Sequence, residues 1–195
     1  THEPDAEGVL PVCLGKATKV CELLTDKSKE YEAVLMLGKI TDTQDMTGTM
    51  LEEHEVNVTE QEVREIIHSF VGESRQVPPM YSALKVNGQK LCDLARAGKT
   101  VERQPRPITI FSIEILKIEL PRVRMRVHCS KGTYIRTLCQ DIGEKLGCGG
   151  CMEQLLRTRV SEFSLSDAKK IGEIEELVHE YTEGIPSQEW NAAMF

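Results

Sequence analysis

No stretch of this 195-residue chain approaches the roughly 18 consecutive apolar residues that a bilayer-spanning helix needs. It does not open on the basic-then-apolar pattern of a secretion signal. Both observations point to a cytoplasmic protein that makes no membrane contact. The chain also has no internal repeat and no low-complexity stretch, which sets aside solenoids and disordered tails. Cysteine is present but not in a framework. There are seven, an odd number at scattered positions, so a disulfide scaffold is not expected. Cys148-Gly-Gly-Cys151 is the only close pair. With no second pair and no His beside it, it reads as core thiols, and no metal is expected.

The length suits one domain of ordinary size with a full core, and the hydrophobic share of 40% suits a globular protein. The formal net charge of −7 argues on its own against a polyanionic partner. The charge is unevenly spread, however. From Leu120 to Gln140 there is no acid, while Arg122, Arg124, Arg126, His128, Lys131 and Arg136 all fall in that window. The acids gather elsewhere, as in Glu52-Glu53-His54-Glu55 and the tail from Glu173 to Glu183. A locally basic face on an acidic body is compatible with binding a polyanion.

Periodicity sketches the elements. Residues 29–39 alternate as a strand, with Tyr31, Ala33, Leu35 and Leu37 on one face and Glu30, Glu32, Val34 and Met36 on the other. T-D-T-Q-D-M-T-G (41–48) reads as a polar loop. Thr59 and Glu62 form a capping-box pattern ahead of Val63, Ile66, Ile67 and Phe70 at helical spacing, ending at Gly72. Residues 74–90 carry Pro78-Pro79 and read as a loop, with a hairpin turn at Asn87-Gly88. Leu91 to Ala97 predicts a short helix stopped by Gly98. The Ile-rich run 107–120 predicts a long strand with a bulge near Ser112. Residues 122–129 follow as a strand with Arg122, Arg124, Arg126 and His128 on one face. Ile135, Leu138, Cys139, Ile142 and Leu146 predict a helix closed by Gly147, and a last helix is expected over about 172–182. Strands and helices interleaved in this irregular order predict an α+β domain with a largely antiparallel sheet.

Four stretches stand out for their chemistry: E-P-D-A-E-G-V-L-P-V (3–12), K-E-Y-E-A (29–33) running into L-G-K-I-T-D-T-Q-D (37–45), V-P-P-M-Y-S-A-L-K-V-N-G-Q-K-L (77–91), and S-K-G-T-Y-I-R-T-L (130–138) followed by L-L-R-T-R-V (155–160). Singly, each has an ordinary reading: a solvated carboxylate, a core tyrosine, a stiff connector, a turn into a helix. Together and in this order they resemble the TruB family of tRNA pseudouridine synthases, over nearly the whole chain.

The resemblance implies a pseudouridine synthase fold: a mixed, mostly antiparallel sheet flanked by helices, with a central RNA-binding cleft. It implies cofactor-free, metal-free isomerisation of a T-loop uridine in tRNA by a monomer. Such a reaction breaks the N-glycosidic bond, turns the uracil and rejoins it through carbon. It needs a carboxylate beside the sugar, a base for the C5 proton, and a flat surface for a base that must leave its stack. Carried over by motif, residue 3 is the position of the catalytic carboxylate. Tyr31 stacks on the base and accepts the proton, and Arg136 pairs with the carboxylate. Tyr134 packs on the nucleotide, and Leu155 lines the uracil pocket. Beside that carry-over, Lys131 and the Arg122–Arg126 strand are placed to meet phosphates, the alternative for the strand arginines being simple solvation.

One departure falls at the centre of the motif. The family's T-L-D-P is Thr1-His2-Glu3-Pro4 here, so the carboxylate is Glu3 in place of Asp. Pro4, Ala6, Gly8, Val9 and Leu10 keep the register. The extra methylene adds about 1.5 Å of reach, and a misplacement of about 1 Å can lower a rate on the order of 10²-fold. The expectation is a single catalytic domain over 1–195, incomplete at its N-terminus, without the small RNA-binding PUA domain many family members carry, and of little activity. The alternative is a tRNA-binding or tRNA-folding protein that kept the cleft and lost the nucleophile. A thiol or metal protein using Cys148 and Cys151 is a distant third.

Overall fold

The computed structural model describes residues 7–13, 15–20 and 27–176. Its centre is a seven-stranded sheet. The long members are β2 (Lys29–Leu37), β8 (Arg106–Glu119), β9 (Arg122–Cys129) and β10 (Gly150–Val160). Two short strands, β1 (Glu7–Gly8) and β5 (Gly72–Gln76), form the edges. The order is β1-β10-β2-β9-β8-β5, with β11 (Phe163–Ser164) paired to β10. Only β1 runs parallel to its neighbour, so the sheet is mixed and mostly antiparallel. Two hairpins lie outside it: β3 (Lys39–Thr41) with β4 (Met50–Glu53), and β6 (Lys85–Val86) with β7 (Gln89–Lys90).

A local signal marks one end of each long helix. Helix α1 (Glu60–His68) opens on the full capping box: Thr59 Oγ1 accepts from the Glu62 amide and the Glu62 carboxylate accepts from the Thr59 amide. Helix α2 is the short Leu91–Arg96 turn. Helix α3 (Ile135–Leu146) closes on Gly147 at φ 78°, the left-handed cap that glycine adopts at least cost. A further helix opens over 171–176, and the rest of the helix expected there lies outside the described residues.

The alternation read in β2 and β9 holds. Ala33, Leu35 and Leu37 of β2 and Val123, Met125 and Val127 of β9 are buried, and they meet Val63 and Ile67 of α1 and Ile135, Leu138, Cys139 and Ile142 of α3. One face of the sheet thus carries both long helices. Lys145 ties them, donating to Ser69 Oγ at 2.7 Å and lying 5.3 Å from the centre of the Phe70 ring. The bulge expected near Ser112 is present between Ile110 and Ser112, and a second lies between Ile115 and Lys117.

Two readings need correction. Residues 74–76, expected in a loop, belong to edge strand β5, which pairs Gly72 with Ile110 and Gln76 with Arg106. Gly-Glu-Ser-Arg-Gln has no β-branched residue to announce a strand; its pairing with β8 makes it one. The Arg122–Arg126 face does not stand ready for phosphates. Arg122 grips Glu153 at 2.8 Å, Arg124 and Arg126 share Glu32 at 2.6 and 2.9 Å, and Arg126 also reaches Glu114 at 2.6 Å. Glu32 is drawn below its usual range, first by the hydrogen bond from Arg126 and then by that from Arg124. The basic strand is therefore one half of an ion-pair ladder across the sheet face opposite the helices.

Candidate active site

Arg136 is the second residue of α3; its side chain turns inward, and the residue is 7% exposed. A cation in the first helical turn is disfavoured by the helix dipole, so it needs specific partners. Three are built in. Its Nη1 donates to Asp45 Oδ2 at 3.1 Å and to the Thr43 carbonyl at 3.3 Å, and its Nη2 donates to the Tyr81 carbonyl at 2.8 Å. The guanidinium thus pins two loops, 42–48 and 77–82, to the start of α3.

Asp45 closes the L-G-K-I-T-D-T-Q-D stretch, which by itself assigns it no role. The other carboxylate oxygen, Oδ1, accepts from Thr43 Oγ1 at 2.8 Å, from the Thr47 amide at 3.0 Å and from Thr47 Oγ1 at 2.6 Å. Burial works to raise its pKa, but the two threonine hydroxyls, the Thr47 amide and the Arg136 charge outweigh it and hold the carboxyl below its ordinary value. The polar loop expected at 41–48 is thus a carboxylate mount. Its visible signal was an Asp with Thr two residues away on each side.

Tyr31 and Leu155 lie on the helix-bearing face. Tyr31 stands opposite Val127 of β9 and Arg157 of β10, and Leu155 stands opposite Ala33. Cross-strand partners share a face, and both side chains pack against the core at its margin. Tyr134 caps α3 in an extended conformation (φ −101°, ψ 113°), and its side chain makes no capping hydrogen bond, so the ring is not committed to the helix end. Lys131 is exposed at the rim of an open cleft of about 580 Å³ that Arg75, Thr109 and Ser130 also line.

The first motif meets the last. β1 lies parallel to β10 with Glu7 opposite Leu156 and Gly8 opposite Arg157. Gly8 has φ 113°, and a side chain there would run into the Arg157 backbone. Arg157, 5% exposed, donates from Nε to the Val9 carbonyl at 2.7 Å. The segment leading away from residue 3 is therefore fastened beside Leu155. Glu3 itself, and with it the expected Glu3–Arg136 pair, lies outside the described residues.

The remaining candidates carry no such chemistry. Cys148 and Cys151 are buried; burial pushes the Cys151 thiol up to about 11, so it stays protonated at neutral pH. Among the described residues no group of His, Cys, Asp or Glu is gathered that could hold a metal ion, and no helix is long and apolar enough to cross a membrane.

Comparison with known proteins agrees with this fold and these motifs. Residues 1–135 match the family model for the TruB family pseudouridylate synthase N-terminal domain, and residues 136–192 match that for the tRNA pseudouridylate synthase B C-terminal domain. The chain belongs to the TruB family of pseudouridylate synthases. It is similar to the tRNA pseudouridine synthase B of Lachnoclostridium phytofermentans, 59% identical over 190 residues, covering 93% of this chain and 62% of that protein. It is also similar to that of Alkaliphilus oremlandii, 52% identical over 177 residues, covering 91% and 59%. The chain therefore spans about three fifths of the length of these curated relatives. Among solved structures it resembles a chain of a Cbf5-Nop10-Gar1 complex, with a TM-score of 0.72 and 30% identity over 95% of this chain and 46% of that one. A chain of an H/ACA ribonucleoprotein bound to a substrate RNA containing 2'-deoxyuridine scores 0.68 at 28% identity, covering 95% and 45%.

Proposed function

We propose that this chain is the isomerising domain of a tRNA pseudouridine synthase acting on a uridine in the T loop. The observation that carries the proposal is Arg136, a guanidinium buried at the foot of α3 and held by Asp45 and the Tyr81 carbonyl, in a chain that belongs to the TruB family. A buried, oriented guanidinium is suited to aim a second carboxylate by paired hydrogen bonds. In this proposal that carboxylate is residue 3.

The bookkeeping of the reaction is short. The bond from uracil N1 to the ribose breaks, and the carboxylate of residue 3 meets the charge that develops on the sugar. The uracil turns against Tyr31 and Leu155. A new bond joins C5 to the ribose, the C5 proton leaves to Tyr31, and N1 gains a proton from water. Nothing is oxidised and no atom is lost, so no cofactor is required. Tyr134 packs on the extruded nucleotide, and Lys131 meets a phosphate at the cleft rim.

Tritium at C5 of the target uridine reports the step, because the label leaves as water. A T-arm stem-loop so labelled is incubated with the chain and with Glu3→Asp. The expected outcome is tight binding by both and faster release by Glu3→Asp, on the order of 10²-fold if the methylene misplaces the carboxylate by about 1 Å. Tyr31→Phe in the Glu3→Asp background abolishes release while binding persists, since the ring that stacks remains. Binding by every variant with no release by any would sustain instead a non-catalytic RNA-binding protein, the reading that Glu3 favours.

A further inference from the structure

We infer that Gln76 is a positioning residue for the synthase reaction, acting through the backbone of Tyr134; the inference rests on the function proposed above. Gln76 ends edge strand β5 and is 4% exposed. A buried amide must satisfy both its carbonyl and its amino group. Here both go to a single residue. The Tyr134 amide donates to Gln76 Oε1 at 2.8 Å, and Gln76 Nε2 donates to the Tyr134 carbonyl at 3.1 Å. The side chain thus pairs with Tyr134 as a neighbouring strand would, 58 residues away in sequence.

The place of this clamp gives it meaning. Tyr134 is the hinge between the loop 130–133, where Gly132 takes φ 78°, and helix α3. Its carbonyl also accepts the first helical hydrogen bond, from the Leu138 amide at 3.0 Å. The helix bond alone would set the carbonyl and leave the amide side free to swing about the loop. The Gln76 amide fixes both ends of the residue, hence its φ and ψ, hence the direction in which the ring leaves the backbone. Five residues beyond Gln76, the Tyr81 carbonyl accepts from Arg136. The segment 76–81 therefore lies along 134–136 and is fastened at each end, once to the residue proposed to pack on the nucleotide and once to the guanidinium proposed to aim the carboxylate. Arg103 holds the middle of that segment through the Pro78 carbonyl at 3.1 Å.

Burial alone does not call for an amide here. An apolar residue at the inward end of an edge strand would join the core with no polar group of its own to bury, at the cost of leaving the Tyr134 amide without this acceptor. What the amide supplies is orientation in two hydrogen bonds at once. Shape and chemistry can be separated by substitution. Gln76→Leu keeps the bulk and removes both bonds. Gln76→Glu keeps the acceptor for the Tyr134 amide but sets a carboxylate oxygen against the Tyr134 carbonyl. Gln76→Asn keeps the amide and falls about 1.5 Å short.

The test uses the full chain and a T-arm stem-loop with a fluorescent purine analogue next to the target uridine, which brightens when its neighbour leaves the stack. Affinity, brightening and thermal midpoint are read together. The expected result is affinity within about threefold of wild type for all three variants, with brightening reduced at least tenfold in Gln76→Leu and Gln76→Asn and less in Gln76→Glu. Wild-type brightening in Gln76→Leu overturns the inference. So does a loss of affinity and brightening in proportion to a fall in thermal midpoint, which would make Gln76 a folding residue only. If the wild-type chain binds without brightening, the proposed function fails and the Gln76 inference is decided on the free protein. Tyr134 ring resonances that move in Gln76→Leu, with loss of hydrogen-exchange protection at the Tyr134 amide, then sustain the positioning role, and unchanged ring resonances overturn it.

Discussion

At the scale of single residues, the pair Asp45–Arg136 is where burial and charge are most closely balanced. Their side chains are 12% and 8% exposed. Removing one partner of a buried pair strands the other charge in a poor medium, at a cost of about 3 kcal/mol. In Asp45→Asn one amide oxygen can still serve the Thr43 and Thr47 donors, but the amino group then points donors at Arg136. The expected loss is about 3 kcal/mol in urea denaturation. Its pH dependence has a definite sign. The folded carboxyl binds a proton less readily than the unfolded one, whose ordinary value is 3.8. Its contribution is therefore fully present above that value and is lost as pH falls through the lower folded value. The gap between wild type and Asp45→Asn should stay flat from neutral pH down to about 5 and close only below about 4. A gap closing near neutrality would assign the stabilisation to another group. The threonines beside Asp45 are legible in T-D-T-Q-D-M-T-G, but its burial is not, because α3 and β10 packing over the loop confer it. Met152 bonds to it on both sides, through the Gln44 carbonyl and the Met46 amide, each at 2.9 Å. Gln76 was hidden for the same reason: its partner lies far away in sequence.

At the scale of elements, sequence was most informative where a local rule decides. The capping box at Thr59, the left-handed Gly147 and the Asn87-Gly88 turn, with φ 52° and 82°, each follow from chemistry within four residues. The strands β5 and β10 were not legible as elements. β5 exists through its partner, and L-L-R-T-R-V stood out for its motif more than its period. Helix α3 shows how packing reverses a local rule. Gly143 sits in mid-helix, where Ala would ordinarily gain about 1 kcal/mol. But a Cβ at 143 would run into the backbone of Gly149 and Gly150. Backbone cannot move aside as a flexible side chain can, so Gly143→Ala should destabilise by about 1–3 kcal/mol. A raised thermal midpoint in that variant would show that helix and strand can part at little cost. The same helix holds Asp141, which burial, and then the Glu144 charge, push up to about 6. The folded carboxyl keeps its proton up to about 6 and the unfolded one releases it near 3.8. The ionised form thus weighs against the fold above about 6, and the penalty vanishes as pH falls below about 4. Asp141→Asn should therefore raise the urea midpoint at pH 8 and leave it unchanged at pH 4.

At the scale of the whole molecule, the question is how a chain of net charge −7 would hold a polyanion. The run without acids from Leu120 to Gln140 suggested that its arginines supply the attraction. Folding distributes them otherwise. Arg122, Arg124, Arg126 and Arg159 face Glu30, Glu32, Glu114 and Glu153, four charges against four. That face is near neutral and lies opposite the helices. Lys131 is on the loop that enters α3, beside Arg75 at the cleft rim. Counterion release ties each phosphate contact to a slope of about −0.7 to −0.9 in log affinity against log salt. Two single variants therefore separate the two faces. Arg124→Gln breaks a half-exposed pair, so it should cost less than about 1 kcal/mol of stability and leave both the affinity for a T-arm stem-loop and its salt slope unchanged. Lys131→Ala should weaken binding at low salt and flatten the slope by nearly one. Titrations at several salt concentrations decide it. If Arg124→Gln flattens the slope and Lys131→Ala does not, the RNA lies across the ion-pair ladder and the cleft has been assigned to the wrong side of the sheet.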